Sequence, residues 1–130
     1  MAKAATCGAD ALILDLEDSV AEANKAKARE LTSAYLSAQP ADRSIELWVR
    51  INPLASPHAM ADLAAVIGAA PDGIVLPKPD SAADVIRLDH YLQAFEVAAG
   101  LRAGTVRILP IATETPKALF ALHSYAGSTA

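Results

Sequence analysis

The sequence predicts an α/β fold built from four βα units on a parallel sheet. Three observations predict it. Short apolar runs alternate with amphipathic helical patterns along the whole chain. The units repeat at about 30 residues each, the length of a strand plus a crossover helix. The first and third apolar runs are nearly continuous, as in strands of a parallel sheet covered on both faces. Such a chain is either a doubly wound sheet or part of a (β/α)8 barrel, which needs about 250 residues.

The elements follow in order. Residues 1–10 (MAKAATCGAD) read as the last turns of a helix leading into a strand. Residues 10–16 (DALILDL) form the first strand. Ser19 with Glu22 three residues later has the spacing of a capping box, so a helix starts there and runs through EANKAKARELTSAYL. Residues 45–51 (IELWVRI) are the second strand, with Trp48 as a core residue. Ser56 and Pro57 suit the N-cap and first position of a second helix, whose apolar face carries Met60, Leu63, Ala64 and Ile67. Residues 73–77 (GIVLP) are the third strand. Asp80 or Ser81 starts a third helix with Val85, Leu88, Leu92, Phe95 and Ala99 at helical spacing and Gly100 as its stop. Residues 106–112 (VRILPIA) are the fourth strand. Thr115 and Pro116 open a fourth helix through Leu119, Phe120 and Leu122.

Composition narrows the function classes. The chain has 130 residues, 53% of them apolar, with a net charge of −4 and a pI near 5.2. An acidic chain has no electrostatic footprint for nucleic acid. No run approaches the roughly 18 apolar residues of a membrane span. The single cysteine, Cys7, reads as a small buried or helix-end residue and fits a reducing compartment. The expectation is a cytoplasmic protein that binds neither nucleic acid nor membrane.

Polar residues gather where the strands end: Asp15, Glu17 and Asp18 after the first, Arg50 and Asn52 after the second, Lys78 after the third, Glu114 after the fourth. In parallel βα folds ligands bind at the carboxyl ends of the strands, so these residues share one rim. His58, His90 and His123 lack metal-ligand spacing. Glycine-rich phosphate loops and nucleophile elbows are missing.

Four motifs in order, GADALILDLEDSV, WVRIN, GIVLPKP and ILPIATETP, resemble the HpcH/HpaI aldolase/citrate lyase family, and most closely its branch of citrate lyase β-subunits and malyl-CoA lyases. The resemblance covers essentially the whole chain. It implies an incomplete (β/α)8 TIM barrel in which residues 1–130 form a partial barrel domain. It implies a Mg²⁺-dependent lyase that cleaves a C–C bond in a CoA thioester and releases a 2-oxo acid. By the same resemblance Arg50 holds the oxo acid's carboxylate and Glu114 is a Mg²⁺ ligand. Asp18 and Lys78 join Arg50 in the catalytic set, and Glu17 and Asn52 line the substrate. The full-length protein is expected to be a homo-oligomer.

The family pattern also contains a first strand with an LFVPG-like motif, and a second metal-ligating Asp after the strand that follows. Neither is among these 130 residues, so the 130-residue polypeptide alone is expected to lack lyase activity. Two other readings compete. A half-barrel with open sheet edges suits a non-catalytic interaction module. A phospho-receiver also carries early acids and a late Lys-Pro, but it needs an aspartate where this chain has Arg50-Ile51-Asn52.

Overall fold

The computed structural model describes residues 8–40 and 42–128. The helix expected within residues 1–10 and the reading of Cys7 lie mostly outside them. Four strands are present, β1 (Ala11–Asp15), β2 (Glu46–Arg50), β3 (Gly73–Leu76) and β4 (Arg107–Pro110). They alternate with four helices, α1 (Lys25–Ser37), α2 (Ala59–Val66), α3 (Ala82–Ala98) and α4 (Pro116–Phe120). All strand pairs are parallel and the spatial order is β1-β2-β3-β4. A doubly wound sheet reverses its order at a switch point. Strands that step in one direction, each followed by a helix on the same side, trace an arc of a barrel instead.

Side-chain alternation shows which face is which. Leu14 and Leu16, Leu47, Val49 and Ile51, and Ile74 and Leu76 point to the helices and are buried with Leu63, Ile67, Val85, Leu88 and Leu92. The alternate residues, Ile13, Asp15, Trp48, Arg50, Gly73, Val75, Arg107 and Leu109, form the opposite face. Among the described residues no helix covers that face, and Ile13 and Leu109 are exposed on it. The expected cover on both faces is therefore found on one. Trp48 is not in the helix-side core. Its ring lies against Gly73, where a Cβ would come within 2.2 Å of it, and the Arg107 guanidinium sits 4.9 Å from its centroid. Only glycine leaves room for the indole on β3.

Two helix starts differ from expectation. No capping box forms at Ser19: its hydroxyl bonds the Asp15 carboxylate and Glu22 pairs with His58, so a 3₁₀ turn over Glu22–Asn24 precedes α1. Nor does Ser56 cap α2. It accepts from the His58 N–H in a preceding turn, and the helix begins at Ala59. The buried face of α2 is Ala59, Asp62, Leu63 and Val66, while Met60 and Ala64 are exposed. The other two starts match. Ser81 accepts from Ala83 N and Thr115 from Ala118 N, with Pro116 opening α4. Gly100 ends α3 with φ +76°, a left-handed conformation natural to glycine. Beyond it the wholly buried Glu96 accepts from the N–H groups of Gly104 and Val106 at 2.8 and 2.6 Å and fixes the turn into β4. No helix among the described residues is long and apolar enough to cross a membrane.

Candidate functional site

The carboxyl ends of the strands converge on one connected cluster. Asp15 and Arg50 are register partners on neighbouring strands. The Asp15 carboxylate accepts from Arg50 Nε at 2.8 Å and Nη2 at 2.6 Å, a two-point fork. Asp15 also accepts from the backbone of Glu17 at 2.9 Å and Ser19 at 3.1 Å. Partial burial works against its charge, but Arg50 and the Ser19 and Glu17 donors outweigh it and hold the carboxyl well below the usual range. The same fork outweighs burial at Arg50 and strengthens its hold on the proton.

Glu17 is only 3% exposed and lies between the two cations. Its Oε1 contacts Lys78 Nζ, and its Oε2 is 3.2 Å from Arg50 Nη1 without the alignment of a hydrogen bond. Asp18 is largely exposed, 3.4 Å from Lys78 Nζ. The Glu17 hydrogen bond raises the pKa of Lys78 against an opposing effect of burial. Lys78 has φ +51°, an uncommon conformation for a non-glycine residue that costs on the order of 1 kcal/mol or more. In that conformation its N–H donates to Glu114 Oε2 at 2.7 Å, so the β3 and β4 ends are tied together.

The structure thus brings together Glu17, Asp18, Arg50, Lys78 and Glu114, and adds Asp15. The rim holds four carboxylates (Asp15, Glu17, Asp18, Glu114) and two cations (Arg50, Lys78), an excess of two negative charges, with Glu114 bound to the Lys78 backbone. Asn52 is placed differently. It is buried, its Oδ1 accepts from Lys25 Nζ at 2.8 Å, and its Nδ2 donates to Leu16 O and Asp62 Oδ2. Expected to line the substrate, it has both ends of its amide engaged by protein groups, so that it braces the site. Lys25 completes the brace by donating to Leu16 O and Glu17 O at 2.7 and 2.8 Å. Asp62 also accepts from Arg29 Nε at 2.7 Å, and His58 bridges Arg29 to Glu22. Asp15 was visible in the sequence as a strand-end acid but not as the partner of Arg50, and neither Lys25 nor Asp62 stood out, because their side-chain partners Asn52 and Arg29 lie 27 and 33 residues away.

A groove of about 340 Å³ lined by Leu54, Lys78, Asp80, Arg87 and Lys117 opens beside this cluster. A second groove, about 430 Å³, runs along the open side of β1 between Ile13, Leu31 and Tyr35. It is mostly apolar and touches the polar rim only at Asp15 and Ser19.

The donor set suits a hard cation in part. Glu114 offers carboxylate oxygen, and the rim is negative. No group of three or more metal-ligating side chains occurs among the described residues. Mg²⁺ commonly takes one or two carboxylates and completes its shell with water and substrate oxygens.

An arc of parallel βα units with a charged rim at its strand ends is part of a TIM-type barrel with the ligand side exposed. The chain belongs to the HpcH/HpaI aldolase/citrate lyase family, which it matches over residues 1–129. It is 40% identical to citrate lyase subunit beta of Haemophilus influenzae over 107 residues, 82% of this chain and 36% of that protein. It is 40% identical to L-malyl-CoA/beta-methylmalyl-CoA lyase of Cereibacter sphaeroides over 75% of this chain and 31% of that protein. Among solved structures it resembles CitE of Mycobacterium tuberculosis in complex with magnesium and pyruvate. That likeness has a TM-score of 0.67 and 33% identity, covering 98% of this chain and 43% of that one. The chain therefore spans about a third of the length of these two curated relatives.

Proposed function

We propose that this chain is a partial barrel domain and supplies part of the active site of a carbon–carbon lyase. The lyase acts on CoA thioesters of the citryl or malyl type and yields an acyl-CoA and a 2-oxo acid. The observation that carries the reading is the connection of Arg50 to Glu114 through Glu17 and Lys78 across four strand ends. The relatives' names support the substrate class, and the solved complex with magnesium and pyruvate supports the ligand pair.

Arg50 receives the carboxylate of the oxo acid portion. Glu114 would hold Mg²⁺, which when bound supplies polarisation of the oxo acid's carbonyl. In the cleavage direction the substrate hydroxyl loses its proton as the new carbonyl forms. The electron pair of the broken C–C bond passes to the thioester portion, which then takes up a proton. Asp18, the most exposed acid contacting Lys78, is assigned to proton handling. Lys78 holds Glu17 in place and adds positive charge beside the departing group. The full-length protein is placed in the cytoplasm as a homo-oligomer.

Calorimetric titration of the purified protein with pyruvate and Mg²⁺ tests the assignment. Binding should require Mg²⁺, weaken at least about tenfold in Arg50→Lys, as expected for loss of a charge-assisted fork, and vanish in Glu114→Gln. Unchanged affinity in both variants overturns it. The 130-residue polypeptide alone is expected to show no turnover of citryl-CoA or malyl-CoA, because Glu114 is its single assigned metal ligand.

A second reading, a non-catalytic half-barrel that assembles with a partner, is favoured by one observation: among the described residues β1 and β4 each have an unpaired edge. A defined complex with no pyruvate binding would support it.

A further inference from the structure

We propose that Asp15 is the positioning residue of the rim: it grips one edge of the Arg50 guanidinium and leaves the other edge to receive a carboxylate. This rests on the assignment of Arg50 to the oxo acid. A guanidinium has five N–H donors in a fixed fork. Asp15 takes Nε–H and one Nη2–H, the side-on edge. The Nη1 and remaining Nη2 hydrogens make up the end-on edge.

Two features show that these edges have different roles. Asp15 is itself immobilised, because the Glu17 N–H, the Ser19 N–H and the Ser19 hydroxyl all donate to it. The first turn after β1 is wrapped around one carboxylate, which explains why Ser19 does not cap α1. At the end-on edge stands Glu17, whose Oε2 is buried 3.2 Å from Nη1 with no hydrogen bond of its own. An arriving carboxylate replaces that loose contact, and Lys78 retains Glu17 through its other oxygen. Asp15 is the fixed partner and Glu17 the exchangeable one.

The side chain of arginine rotates about several bonds, so a fork on one edge removes most of its freedom before ligand arrives. Pre-organisation of this kind raises affinity without a new ligand contact. Asp15 touches no substrate, so its effect must pass through Arg50.

The test is a double-mutant cycle read as pyruvate affinity in the presence of Mg²⁺. Asp15→Asn should raise the dissociation constant about tenfold, the usual scale for losing a hydrogen bond to a charged group. In the Arg50→Lys background, where no fork can form, the same change should cost less than about twofold. Independent, multiplying losses overturn the proposal, because they would mean that Asp15 acts on the fold and not through Arg50. Wild-type affinity in Asp15→Asn overturns it as well. Should Asp15→Asn fail to fold, Asp15→Glu keeps the charge and displaces the fork by one methylene, and wild-type affinity there has the same meaning. If Arg50→Lys alone leaves pyruvate binding unchanged, the oxo acid reading fails first, and the two failures are distinct.

Discussion

Asp15 shows how a single carboxyl can be both structural and acid-sensitive. Although partly buried, it stays ionised in the folded chain well below the ordinary carboxylate range. In the unfolded chain it titrates near its usual value of about 3.9. The unfolded state therefore binds the proton first. The stability contributed by the Asp15–Arg50 fork is complete above that value and is lost progressively as pH falls below it. Asp72 adds to the same trend, because backbone and Arg43 hydrogen bonds overcome its burial. Urea unfolding between about pH 4 and pH 2 should show a falling free energy, with a shallower slope in Asp15→Asn. An unchanged slope in that variant would show that the fork does not carry this share of the acid limb.

At the scale of elements, the helices were largely legible and their connections were not. Val85, Leu88 and Leu92 announce α3 by spacing alone, and Ser81, Thr115 and Gly100 mark helix ends through local chemistry. Ser19 and Glu22 misled because each found a better partner outside the helix, one in Asp15 and one in His58. The rim residues were legible because they follow strands. The brace beneath them was not, since Lys25, Asn52 and Asp62 meet only after α1 and α2 have docked. Asp62 is fully buried and serves Arg29, the Asn52 backbone and the Asn52 amide together. Removing one member of a buried charged network leaves the rest unpaired. Asp62→Ala should therefore destabilise by about 3–5 kcal/mol, measured by chemical denaturation. Lys27→Ala, which breaks an exposed pair with Glu30, should stay within about 0.5 kcal/mol.

At the scale of the whole molecule, the described residues form an arc with two open edges and one uncovered face. Ile13 and Leu109 are exposed on that face, and Leu119 and Phe120, the latter 87% exposed, lie on α4 after the last strand. Unpaired strand edges beside exposed apolar groups template association. The 130-residue polypeptide should associate as concentration rises, visible as increasing mass in light scattering. A strict monomer at high concentration would show that the edges are protected. The parallel βα order was legible in four repeated units, whereas the choice of an arc over a doubly wound sheet rested on the family resemblance. The one-sided covering was not legible, because Val75 on the inner face is as apolar as Ile74 on the outer one.

The packing of Trp48 against Gly73 has an optical consequence. It is the single tryptophan of the chain, two residues from Arg50 on the same strand face, with a cation over its ring and its indole N–H bonded to Glu46 at 2.9 Å. Its emission therefore comes from one place, the interior wall of the barrel. A shift in wavelength or intensity will register filling of that wall or occupation of the neighbouring guanidinium without any attached dye.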